Sequence, residues 1–327
     1  MPVLRSLEPL RVVHGGRLWV HGDGFPTPET SAADVTVGGV AARISFAAPT
    51  RLAVVVPEDL DGGDAPVKVS WAPGATLYAR VARRLATGIH QVDNPVVDGA
   101  GRVYVTYSGS RGQQTPVSIF RVTPEGVREP FVHGLVNATS MVQGPEGQLY
   151  VSSRFEGRVY RVSPDGHYEV IGSDLGIATG LALAPEGSLF IGDRSGTIFR
   201  IDAQGRTDTV ATLPGSMAAF HLAFGPDGWL YVSAPTLSTY DTLRRVHPDG
   251  RVEVLPWSFG RPQGLAFNAA GVLHVVEALA GSSGVYALRP GRAPELVVSG
   301  PGLVGLAFGA DGALAVASND ALYVFEA

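Results

Sequence analysis

A unit of about forty residues recurs through roughly three quarters of this chain, and it leaves few folds open. Its clearest copies are Gly180-Leu-Ala-Leu-Ala-Pro-Glu-Gly-Ser-Leu-Phe-Ile191 and His221-Leu-Ala-Phe-Gly-Pro-Asp-Gly-Trp-Leu-Tyr-Val232. Gly264-Leu-Ala-Phe-Asn-Ala-Ala-Gly-Val-Leu-His-Val275 and Gly305-Leu-Ala-Phe-Gly-Ala-Asp-Gly-Ala-Leu-Ala-Val316 repeat it, and weaker copies surround Gly101 and Gly147. The turn glycines Gly101, Gly147, Gly187, Gly228, Gly271 and Gly312 are spaced 46, 40, 41, 43 and 41 residues apart, which predicts six units. Within each unit, apolar runs flank a Pro-Asp-Gly-type turn whose glycine supplies a positive φ. A third strand such as Gly157-Arg-Val-Tyr-Arg-Val162, a second turn at Ser163-Pro-Asp-Gly166 and a fourth strand at Tyr168-Glu-Val-Ile171 follow. Four strands per repeat, six times over, predict an all-β, six-bladed propeller.

The last unit stops after its third strand, Ala321-Leu-Tyr-Val-Phe325. An open ring exposes a strand edge, so a strand from elsewhere is expected to close it. The run Leu77-Tyr-Ala-Arg-Val-Ala-Arg-Arg-Leu85, just ahead of the first unit, is that candidate, within a closing segment 77–86.

Residues 1–76 carry no copy of the repeat. Strand-like runs at Arg17–His21, Asp34–Val37, Val40–Ile44, Arg51–Val56 and Ala65–Trp71, with a tight Gly38-Gly39 turn, predict a small β-sandwich. The expected division is therefore 1–76 for a sandwich and 77–327 for a propeller, in keeping with 327 residues at about 100–200 per domain.

Composition removes several kinds of chemistry. The chain has no cysteine, so thiol nucleophiles, disulfides and Cys-bound metals are excluded, and Lys68 is its single lysine. A net charge of −5 argues against a nucleic-acid partner. No apolar run approaches the ~18 residues of a membrane-spanning helix, and Arg5 and Glu8 interrupt any secretory signal. A cytoplasmic protein with no membrane partner is the expectation. Gly-x-Ser-x-Gly, His-Glu-x-x-His and Walker A motifs are missing.

Antiparallel pairing brings the start of each inner strand and the end of the next strand to one face. The expected pairs are Asp93/Tyr107, Thr139/Ser153, Thr179/Asp193, Phe220/Ala234, Gln263/Glu277 and Val304/Ser318. Asn94, Arg154, Arg194, His221 and Asn319 join them one step along. Ligand-binding candidates are thus Asn94, Arg154, Asp193, Arg194, His221, Gln263 and Glu277. Arg154 and Arg194 could clamp a carboxylate or phosphate, or pair instead with Asp193 or Glu156. His221 and Glu277 are candidate acid/base groups, each with a structural hydrogen-bonding alternative. The loops Ser108–Pro116 and Pro235–Thr242 should open on this face, and Trp257 and Phe259 should reach it. The acids of the Pro-Asp-Gly turns lie at the other end and read as turn formers.

Two resemblances follow from these residues. Pro9, Gly15–Phe25, Val35–Gly39, Thr50–Pro57 and Val67–Val69 resemble an IPT/TIG domain, an immunoglobulin-like module, which implies a spacer or a surface for a protein partner. The Gly-Leu-Ala-Phe…Pro-Asp-Gly…Leu-Tyr-Val units resemble NHL-type and gluconolactonase (senescence-marker-protein)-type propellers. The latter resemblance implies a lactonase-like hydrolase with a central divalent cation, Ca²⁺ or Mg²⁺, held by inner-strand side chains. The matching positions are Asp93, Thr139, Thr179, Phe220, Gln263 and Val304. Only Asp93 is a carboxylate, Asn94 is the nearest amide, and Phe220 and Val304 carry no donor. A similarity to streptogramin-lyase propellers implies a His–Glu pair, where this chain has Gln263 and Glu277, with His221 on the neighbouring unit. The leading expectation is a small molecule, glycan or peptide bound at the mouth by a non-catalytic or weakly catalytic propeller.

Overall fold

The computed structural model describes residues 2–26 and 35–327, so Asp34, at the start of one expected strand, lies outside it. Every regular element among the described residues is a β-strand, and no helix is long and apolar enough to cross a membrane.

From residue 96 onward the strands form consecutive antiparallel groups of four, spanning 96–132, 138–172, 178–212, 221–259 and 262–299. The final group, 303–325, has three strands of its own and takes its fourth, Arg83–Thr87, from before the first group. The innermost strands touch in succession, and Val96–Val97 contacts both Ala138–Gln143 and Leu303–Phe308, which closes a ring. These are the four-stranded sheets of a propeller.

The second strand of each sheet is buried along its whole length or nearly so, as in Leu189–Asp193, because neighbouring sheets cover both faces. Outer strands such as Tyr168–Gly172 are largely exposed. The turns behave as expected of their chemistry: Gly187, Gly228 and Gly312 sit at φ of 93°, 78° and 90°, where a Cβ would be strained, and Asp311 Oδ1 accepts the Ala313 N–H at 3.0 Å.

The run expected to be one closing strand is two. Leu77–Val81 pairs with Gly63–Val69 in the N-terminal region, and only Arg83–Thr87 closes the ring. The break falls at Ala82, whose N–H is bound by the Val12 carbonyl at 2.9 Å. Closure is also hydrophobic: Leu85 and Ile89 pack with Val103, Val105 and Val122 of the first sheet and Ala315 and Leu322 of the last.

The N-terminal strands form two layers. One sheet orders Val3–Glu8, Arg17–Asp23, Arg51–Val55 and Arg43–Ala48. Its alternating inward residues Leu18, Val20, Leu52 and Val54 meet Val35, Val37, Val67, Val69 and Val81 of the other layer. That second layer is not separate from the ring. Arg11–Val12 lies parallel to Arg80–Val81 on one side and to Val298–Ser299 on the other, so one sheet of nine strands runs from the sandwich into the 262–299 group.

Candidate functional site

The ends of the inner strands carry the same irregularity in four sheets. Ala138, Ala178, Pro262 and Leu303 pair with Ser153, Asp193, Glu277 and Ser318, and the register then slips by one residue. The sequence-based pairs are therefore one residue out: Ser153 faces Ala138, not Thr139, and Asp193 faces Ala178, not Thr179. A bulge frees the extra residue from the ladder and re-aims it. Three of the freed residues, Thr179, Gln263 and Val304, line a cavity of about 380 Å³ at this end of the ring.

A second regularity builds the rim. In three sheets the residue after the second strand returns a backbone N–H to the loop seventeen residues earlier: Arg154 to the Asn137 carbonyl (3.4 Å), Arg194 to Ile177 (3.0 Å) and Ala278 to Arg261 (3.1 Å). Of the residues so placed, Arg154, Ile177, Arg194 and Arg261 line the cavity, with His90, Gln91, Met217 and Asn319 completing it. Four sheets, and the segments that lead into the other two, contribute to this one opening.

Among the expected ligand-binding residues, Arg154, Arg194 and Gln263 are brought together there, and the other four have different work. Asn94 is a clasp across the ring: its Nδ2 donates to the Leu265 carbonyl at 2.9 Å and its Oδ1 accepts the Leu306 N–H at 3.0 Å. Asp193 Oδ1 accepts the Ile177 N–H at 2.7 Å and its other oxygen accepts from Ser195. Glu277 accepts three backbone N–H groups, from Gly260 (2.6 Å), Arg261 (2.8 Å) and Leu279 (2.7 Å). These carboxylates hold loops in place because each satisfies buried amides that have no strand partner.

His221 is fully buried. Its Nδ1 lies 2.6 Å from Asp93 Oδ1 across the ring, while the other Asp93 oxygen accepts from Ser140. Ser140 Oγ in turn accepts the Leu181 N–H at 3.0 Å. This chain of contacts joins the inner strands of three sheets through Asp93, in the segment leading into the first sheet. The His221–Asp93 pair is thus a knot in the wall, and His221 is not presented at the mouth as an acid or base. His221 Nε2 is enclosed and has no hydrogen-bond partner among the described residues.

The alternative pairing of Arg154 or Arg194 with Asp193 or Glu156 does not form: Glu156 accepts from Tyr160 at 2.7 Å and lies 3.6 Å from Arg158. Trp257 and Phe259 do not reach the mouth. Phe259 packs in the core between sheets, and Trp257 Nε1 donates to the Arg292 carbonyl at 3.3 Å. The donor set expected of a central cation is not assembled. Asp93 and Asn94 are spent on His221, Ser140 and backbone groups, and no three His, Asp or Glu side chains converge among the described residues.

Sequence reasoning missed Arg261 and Asn137. Asn137 adopts a left-handed φ of 49° and holds the 108–116 loop by donating to the Ser110 carbonyl (2.7 Å) and accepting the Gly112 N–H (2.7 Å). Both residues occupy the position seventeen before the residue that follows the second strand in their repeats, a register that the sequence contains.

Residues 2–79 match the family model described as the IPT/TIG domain. No curated protein matches the chain. Among solved structures, a gluconolactonase from Xanthomonas campestris is 15% identical with a TM-score of 0.61, covering 75% of this chain and 90% of that one. An auxiliary nutrient binding protein from Bacteroides thetaiotaomicron is 14% identical with a TM-score of 0.57, covering 99% and 97%. Virginiamycin B lyase from Staphylococcus aureus is 14% identical with a TM-score of 0.53, covering 95% and 99%. At such identities the likeness is one of fold.

Proposed function

We propose that the chain is an immunoglobulin-like module, ending near Val81, followed by a six-bladed propeller that binds a small molecule at its mouth without turning it over. The observation that carries this reading is the cavity of about 380 Å³ to which four sheets of the ring, and the segments leading into the other two, contribute. That size lies within the range of small-molecule sites, and it combines a few convergent polar groups with the apolar Ile177, Met217 and Val304. Against catalysis stand the engagements of His221, Asp93 and Glu277, each of which a hydrolase or lyase reading would need free. The sandwich serves as a spacer or as a second contact surface for a protein partner.

A thermal-shift panel of neutral sugars, dipeptides and small organic acids tests the reading against a variant with a blocked mouth, Val304→Trp. A ligand at a hundred times its Kd should stabilise the parent protein by about 2–3 kcal/mol and leave the variant unmoved. Equal shifts in both proteins would place binding elsewhere. Hydrolysis of gluconolactone that depends on added Ca²⁺ or Mg²⁺ would restore the enzymatic reading.

A further inference from the structure

We propose that the mouth is an anion site, in which Arg154, Arg194 and Arg261 together hold the carboxylate or phosphate group of a small organic acid. The inference rests on the mouth-binding reading and names the ligand's chemistry. Three guanidinium groups from three different sheets line one cavity. None of them forms an ion pair among the described residues. Three arginines in equivalent positions on the third strands of their sheets do so: Arg121 pairs with Glu129 at 2.8 Å, Arg200 with Asp208 at 3.0 Å and Arg245 with Glu253 at 2.7 Å. At these three sites a carboxylate on the neighbouring strand neutralises the arginine, and at the mouth none does.

The acids nearest the mouth form no ion pair with these arginines: Asp193 and Glu277 are bound to backbone amides, Asp93 to His221 and Ser140, and Glu156 to Tyr160 and Arg158. What holds the arginines is neutral. Arg154 Nη2 donates to the Gly109 carbonyl at 3.3 Å, and Arg194 Nε donates to the Ser216 carbonyl at 3.2 Å. Carbonyl contacts orient a guanidinium and leave its remaining N–H groups free to grip an oxyanion in paired fashion. The unrelieved repulsion is visible in Arg154, whose pKa is lowered first by burial and then by Arg194 and Arg111. His90 on the same wall is lowered by burial and then by Arg154. A bound anion would remove that penalty. Thr179, Gln263 and Asn319 offer hydroxyl and amide groups to the rest of the ligand.

The experiment uses inorganic phosphate and citrate as probes, with glucose as a neutral control, by isothermal titration at low ionic strength. Phosphate or citrate should bind and glucose should not. Affinity should fall by about tenfold or more in each of Arg154→Ala, Arg194→Ala and Arg261→Ala, and recover in part in the Arg→Lys variants. The His90 imidazole, followed by NMR, should titrate at higher pH when the anion is bound, a readout that holds even if one alanine variant folds poorly. Anion affinity that is unchanged in the triple alanine variant, or absent from the parent protein, would overturn the proposal. If a neutral ligand still binds and is lost in Val304→Trp, only the anion inference fails. If no compound of either kind is sensitive to Val304→Trp, mouth binding fails with it.

Discussion

At the scale of single residues, the polar groups near the axis divide by what they must satisfy. Asn94, Asp193 and Glu277 meet backbone amides and carbonyls that a ring of separate sheets leaves without ladder partners. Arg154 and Arg194 each give one N–H to a backbone carbonyl, and with Arg261 they are otherwise left to face the cavity. A buried group also has consequences for pH. His274 is pressed edge-on against Phe308 with ring centroids 4.9 Å apart, and its Nδ1 is 3.0 Å from the Val272 carbonyl. Burial is the main cause that lowers its pKa below the usual imidazole value, opposed by that hydrogen bond and assisted by Arg289 and Arg11. The unfolded chain therefore takes up the proton first. The stability that His274 contributes is complete above its unfolded pKa of about 6.5 and is lost as pH falls below it toward the folded value. Urea denaturation at about pH 7.5 and again near pH 5 should show a smaller acid loss in His274→Leu than in the parent protein. An unchanged pH slope would mean that His274 is protonated as readily folded as unfolded.

At the scale of elements, the closing strand shows which contacts matter. Its charged ends form exposed pairs, such as Arg83 with Glu326 at 3.2 Å, worth well under about 1 kcal/mol. Leu85 joins the first and last sheets in one buried cluster. Leu85→Ala should therefore cost about 2–4 kcal/mol in denaturant unfolding, against almost nothing for Glu326→Gln. Equal, small losses from the two variants would show that the ring is not held by this strand. The bulges act at the same scale. Strict alternation would keep Thr179 and Val304 in the ladder, and a single inserted residue turns each toward the opening.

At the scale of the whole molecule, the two regions share more than a covalent link. Arg11–Val12 is hydrogen-bonded between them, Val13 is buried with Val276, Val285 and Val298 of the ring, and His14 stacks on Tyr323 at 5.7 Å. Arg17 adds its N–H to Ser299 Oγ at 2.9 Å. A shared sheet and a shared core couple two units into one cooperative block. Calorimetry should record one unfolding transition. Val13→Asp, which buries a carboxylate among valines, should cost about 3 kcal/mol or more and split that transition in two. Two transitions in the parent protein would contradict the coupling.

The repeat by itself determined the strands, their turns and the end of the ring where polar groups gather. These depend on glycine conformation, alternation and spacing, all of which are local. Arg154, Arg194 and Gln263 were legible as mouth residues for that reason. Sequence could not tell a side chain that faces a cavity from one that caps a loop, because whether Glu277 or Arg261 does one or the other depends on the neighbours the folded ring brings to each. Nor could it show that Leu77–Leu85 divides at Ala82, or that Arg11–Val12 finds strands on both sides. Those outcomes are set by hydrogen bonds and packing between residues far apart in the chain, such as Val12 with Ala82 and Arg11 with Val298, and such partners exist only once the ring and the sandwich have met.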